Sequence, residues 1–166
     1  AWSPDGSTIA YERLSDSPTP FLPAGLWLMN SGGMQQRYLA DVDGGHGFAL
    51  SWSPEGSRIA FVARTNVASR SADFSAQSLQ SAIAVVDISS GRSWMVATSM
   101  QTTMQINDNP TWIAGGNSLT FTAYNPFNLV LGGTPHYWSA QVGTQTTRTS
   151  LIPLTPKLFH VIAIGS

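Results

Sequence analysis

The chain has 166 residues, of which 42% are apolar and only 10% charged, with a net charge of −1. A typical soluble domain carries roughly 25% charged residues, so Ser, Thr, Asn, Gln and Gly must cover this surface; lysine occurs once, at Lys157. There is no basic field for nucleic-acid phosphates, no cysteine for a disulfide or thiolate metal site, and no apolar run long enough to span a membrane as a helix.

The chain begins at Ala1-Trp2-Ser3-Pro4, inside what proves to be a repeat, which predicts a piece of a longer protein. Three segments align without gaps: Ala1-Trp2-Ser3-Pro4-Asp5-Gly6-Ser7-Thr8-Ile9-Ala10-Tyr11, then Ser51 to Phe61 (Ser-Trp-Ser-Pro-Glu-Gly-Ser-Arg-Ile-Ala-Phe), then Thr111 to Phe121. Each has a Trp, a turn with Gly at one fixed place and a short alternating strand ending in an aromatic. Pro presets the first central turn position and Gly takes the strained one. The third copy loses Ser-Pro-Asp but keeps Gly116.

A second hairpin follows in each unit. It is Leu26 to Asn30 with a Ser31-Gly32-Gly33 turn and Gln35 to Leu39. It recurs as Ile83 to Asp87 with Ser89-Ser90-Gly91 and Arg92 to Val96, and as Tyr137 to Gln141 with Gly143 and Thr147 to Leu151. Two hairpins per unit give four strands, the content of a propeller blade. The fold class expected is all-β: three four-stranded antiparallel blades, half of a six-bladed β-propeller. Blade 1 spans about 1–40, blade 2 about 46–97 and blade 3 about 106–153, with an extra strand at 158–165.

The W-S-P-D-G-S-x-I-A-Y strand pair, followed by an apolar strand and an Asn/Asp-x-x-G-G turn, resembles the WD-like repeat of TolB-type β-propellers, from Ala1 to about Leu151. The resemblance implies that Trp2, Trp52 and Trp112 pack between blades. It also implies a bacterial protein acting in the periplasm or outside the cell, and a non-catalytic scaffold that binds proteins. An alternative resemblance is to the gating propeller of dipeptidyl-peptidase and prolyl-oligopeptidase enzymes, whose hydrolase domain would lie elsewhere.

With blade strands named A (inner) to D (outer), the A–B and C–D turns share one rim. The B–C connections at 14–25, 65–81 and 125–135 carry the long inserts, and share the other rim with the D–A connections. A short helix is expected within 75–79. Phe21, Arg70, Asp73, Phe74, Phe127 and Leu129 are the candidate partner-binding residues on these loops. The competing reading is that the loops cap their own blades.

No catalytic grouping stands out. His46, His136 and His160 lie far apart, and no G-x-S-x-G elbow exists. Asp41-Val42-Asp43-Gly44-Gly45 lacks the further ligands of a calcium loop and reads as a polar D–A turn. Together with Asp108 in Asn107-Asp108-Asn109, Asp41 and Asp43 are candidates for the channel mouth; a carbohydrate-processing channel, which would need several such carboxylates, ranks last. No catalytic residue, cofactor or metal is expected. The partners expected are a protein or the missing blades, including a homodimer in which the strand at 158–165 supplies the inner strand that blade 1 lacks. No nucleic acid is expected.

Overall fold

The computed structural model describes residues 1–44, 49–131, 133–143 and 149–155. Three antiparallel sheets follow one another along the chain. The first contains β1 (Thr8–Arg13), β2 (Ala24–Asn30) and β3 (Arg37–Val42). The second contains β4 (Ser51–Trp52), β5 (Arg58–Arg64), β6 (Ser81–Asp87) and β7 (Ser93–Ala97). The third contains β8 (Ile106–Trp112), β9 (Ser118–Tyr124), β10 (His136–Gln141) and β11 (Ser150–Leu154). Each sheet runs in chain order from inner to outer strand, as a blade does.

Two of the sheets have four strands, as expected. The first has three, and a single bridge between Trp2 and Ile9 stands where its strand A would be. Ala1 and Ala10 exchange two bonds there, Ala10 N–H to Ala1 O at 2.8 Å and the Ala1 ammonium to Ala10 O at 2.7 Å. The strand expected at 158–165, and the exchange built on it, fall outside the described residues.

The repeated turn closes each A–B hairpin for a readable reason. Gly6, Gly56 and Gly116 all sit at φ near +70°, where a Cβ would clash with the backbone. Ser3 and Ser53 are buried, and their Oγ atoms accept the backbone N–H of Thr8 and Arg58 at 2.9 and 3.0 Å. In the third copy Ile113 has no side-chain oxygen to offer, and the backbone bonds Ile113 N–H to Ser118 O and Gly116 N–H to Ile113 O remain.

Strand alternation then sorts side chains to two faces. On the second sheet Ile59, Phe61, Ala63, Ala84 and Val86 turn to the first sheet and pack with Ala10, Leu26, Leu28 and Val42. Ala60, Val62, Ile83 and Val85 turn the other way, onto Leu119, Phe121, Ala123 and Ala140 of the third. Every side chain of the size of Leu or Phe removed from water here is worth roughly 1.5–3 kcal/mol, and these two layers carry most of the buried apolar residues.

Trp52 and Trp112 lie between blades, as the resemblance implies. Trp112 is buried, its indole N–H donates to Ser51 O at 3.0 Å, and the Arg58 guanidinium stacks 4.7 Å from its ring centre. Trp52 makes the same bond to Ala1 O at 3.2 Å. Trp2 differs: among the described residues no sheet packs in front of it, and it is 57% exposed.

Candidate functional site

The long B–C connections gather on one rim and are tied into a single layer. Arg64 ends β5 with its side chain fully buried. Its guanidinium donates to Phe21 O at 2.6 Å on the first loop, and to Ser69 O at 3.0 Å and Asp73 Oδ1 at 2.8 Å on the second. Phe21 N–H closes the junction on Asp73 O. Within the second loop Asn66 donates to Ser78 O and accepts from Gln80 N–H, which holds the 3-10 turn Ala76–Ser78 in the place where a short helix is expected.

The third loop joins through α1 (Pro126–Val130), which lies against that turn. Gln105 bridges as well: its side chain donates to Leu79 O at 2.6 Å and its backbone N–H to Asn125 Oδ1 at 2.8 Å. Beneath the layer lies a small core of Ala72, Leu79 and Ile106, with Phe21 and Tyr124 packed on it.

The expected partner-binding residues divide accordingly. Phe21 and Asp73 are engaged inside the layer. Phe74 and Phe127 are each 66% exposed on it, near Leu131 at 71%, and Arg70 is exposed. Leu129 lies in α1; its side chain is outside the described ones. The loops thus tie to one another across blades and leave Phe74, Phe127 and Leu131 in water.

The carboxylates expected at the channel mouth stand on different strands, Asp41 on the outer strand β3 and Asp108 on the inner strand β8. Asp41 and Val42 close β3 rather than forming a turn, and Asn107-Asp108-Asn109 belongs to β8, bulged between Asp108 and Thr111 with Asn109 at φ +53°. Asp41 is exposed and accepts the Tyr38 hydroxyl at 2.7 Å, while Asp43 is fully buried and Asp108 nearly so. Asn107 is locked by Ser81 and Thr102, with bonds of 2.8–2.9 Å, so it stitches blade 3 to blade 2.

Sequence reasoning missed Glu12. It stands on β1 opposite Leu26, on the face that packs against blade 2. Both its carboxylate oxygens are buried and have no hydrogen-bond partner among the described residues. Burial, then the charges of Asp43 and Asp108, pushes it up to about 7, against a smaller pull from the Ala1 ammonium. Burial and the same two carboxylates push Tyr124 up to about 12. The signal was available: where the repeat places Val62 in blade 2 and Thr122 in blade 3, blade 1 has Glu12.

Among the described residues, no group of three or more His, Asp or Glu is arranged to hold a metal ion, and no helix is long and apolar enough to cross a membrane. Of the histidines, His136 begins β10 at the surface; His46 and His160 fall outside the described residues.

No protein-family model matches the chain, and no curated protein matches it. Solved structures do. Putative TolB from Agrobacterium tumefaciens aligns at 18% identity over 93% of this chain and 44% of its own, with a TM-score of 0.60. The AtxE2 isopeptidase aligns at 12% over 100% of this chain and 30% of its own, at 0.64. The β-propeller domain of the Trilobed protease from Pyrococcus furiosus aligns at 11% over 90% and 39%, at 0.53. The chain therefore spans less than half the length of each. At these identities the likeness shows the fold: the chain is a run of three β-propeller blades, similar to those of TolB and of peptidase propellers.

Proposed function

We propose that the chain is a non-catalytic propeller scaffold of TolB-like type, which holds a protein partner on the rim of long B–C loops. The supporting observation is the layer pinned by Arg64, a rigid platform from which Phe74, Phe127 and Leu131 project. Exposed aromatics on a rigid support are the usual anchors of a protein interface, and loops on a fixed scaffold are where binding concentrates. The resemblance to TolB supports a bacterial, extracytoplasmic setting, periplasmic or extracellular.

The whole chain, carrying a cross-linker, tests this in a bacterial envelope extract. Phe74→Ser with Phe127→Ser is expected to lose a bound protein that the unaltered chain and Met34→Ser retain. Met34 is 66% exposed in the C–D turn of blade 1, on the other rim. Equal recovery by the rim variant overturns the reading.

The likeness to the AtxE2 isopeptidase and to prolyl endopeptidases favours a second reading, a gating propeller whose hydrolase domain is supplied by the parent protein. A G-x-S-x-G segment in the parent gene distinguishes it.

A further inference from the structure

The two junctions between blades are built on one frame. Trp52 and Trp112 donate to Ala1 O and Ser51 O, in each case the residue preceding the tryptophan of the blade before. The turn glycine of the later blade also meets the turn proline of the earlier one at a constant distance. A Cβ built on Gly56 would lie 3.6 Å from Pro4 Cδ, and one built on Gly116 would lie 3.6 Å from Pro54 Cδ. What fills the frame differs between the two.

Between blades 2 and 3, Arg58 fills it. Its guanidinium stacks 4.7 Å from the Trp112 ring centre, donates to Gly116 O at 2.7 Å and pairs with Glu55 Oε1 at 2.8 Å. Between blades 1 and 2 the aligned residues are Thr8, Trp52, Gly56 and Asp5. The ring, the carbonyl and the carboxylate are kept, and the cation is not. Threonine is too short to cross the junction, and a cleft of about 390 Å³ opens there, lined by all four of these residues and by Glu55. Trp112 is buried beneath its arginine, whereas Trp52 is only half-buried. The whole lining belongs to blades 1 and 2, so neither outer flank takes part.

The cleft is acidic as well as aromatic. Asp5 is exposed, and hydrogen bonds from the Ser3 hydroxyl and then from Ser7 hold its carboxyl down at about 2, so it is ionised at neutral pH. Arg37 donates to Ile88 O at 2.9 Å at the edge of the cleft and is not part of the lining. A planar cation over an indole, with a carboxylate and a carbonyl beside it, is held by the ring quadrupole and by its own forked donors together. A free amino acid would bring its α-carboxylate against Asp5 and Glu55, whereas an arginine within a polypeptide brings none.

We propose that the cleft between blades 1 and 2 binds the guanidinium of an arginine side chain presented by a protein partner. It lies over Trp52 as Arg58 lies over Trp112, with Gly56 O and the Asp5 carboxylate as acceptors. The cleft opens on the rim of the A–B turns, opposite the loop platform, so this inference and the proposed function fail separately.

Titration of the whole chain with N-acetyl-arginine amide, followed by the NMR resonance of the Trp52 indole, tests it. A saturable shift is expected, with half-saturation on the order of 10 mM for this single side chain. The uncharged N-acetyl-citrulline amide gives no shift, and N-acetyl-lysine amide and free L-arginine each bind several-fold more weakly. Thr8→Arg supplies the cation from within the chain, as Arg58 does at the next junction; it abolishes the response to the arginine amide and raises the thermal midpoint. No shift up to about 100 mM, equal binding of the citrulline or lysine amide, tighter binding of free L-arginine, or a response that survives Thr8→Arg overturns the proposal.

Discussion

The indole N–H of Trp112 donates to the Ser51 carbonyl at 3.0 Å, and the Arg58 guanidinium covers the other side of the contact, 4.7 Å from the ring. One side chain of blade 3 thereby engages both the inner strand and the first hairpin of blade 2. Trp112→Phe keeps most of the buried ring and loses the bond, at an expected cost of about 1 kcal/mol. Trp112→Ala also leaves a cavity and costs about 3–5 kcal/mol. Urea unfolding of the two variants measures both, and equal losses would contradict the assignment of a separate hydrogen-bond contribution.

The buried Ser53 hydroxyl is the acceptor for Arg58 N–H. Ser53→Ala leaves that donor without its partner and is expected to cost about 1–3 kcal/mol. The aligned change in blade 3, Ile113→Ala, removes no such acceptor, so only the Ser53 variant should speed exchange of the Arg58 amide in hydrogen-exchange measurements.

Glu12 sets a pH dependence. Its folded-state value of about 7 lies above its ordinary 4.5, so the folded chain holds a proton that the unfolded chain releases. Stability attributable to this group is full below about 4.5, declines as pH rises through the interval to about 7, and is level above it. Glu12→Gln removes that slope and raises stability at pH 8 by on the order of 1 kcal/mol, after allowance for partial exposure. Unfolding midpoints measured at pH 5 and pH 8 check it; a slope unchanged in Glu12→Gln would contradict the assignment.

Arg64 holds two loops at once. Arg64→Met strands the Asp73 carboxylate and the loop carbonyls, with an expected cost of about 3–5 kcal/mol. Arg64→Lys restores the charge but not the planar fork and recovers only part of the loss. Limited proteolysis should cut first within 65–80 in both variants, and a protected 65–80 segment would show that Arg64 does not pin the loops.

Strand content and order were legible because the Trp–turn–strand unit recurs and its alternation assigns each strand a face. Tyr11, Phe61 and Phe121 could be aligned by eye, and their places in the structure follow. What could not be read depends on contacts between loops distant in sequence. Nothing local in 65–81 says that Asp73 turns inward to Arg64 while its neighbour Phe74 turns out. Asp41-Val42-Asp43-Gly44-Gly45 reads as a turn because polar residues and glycines usually interrupt strands, yet Asp41 and Val42 close β3 and Asp41 accepts the Tyr38 hydroxyl. Glu12 escaped notice because single charges in a repeat draw attention only when each position is compared across copies.

The most direct test of the stacked-blade account is exchange of the tryptophan indole protons in a dilute NMR sample. The contacts predict slow exchange for Trp112 and Trp52, which donate to Ser51 O and Ala1 O, and fast exchange for exposed Trp2. Uniformly fast exchange at all three would contradict the account.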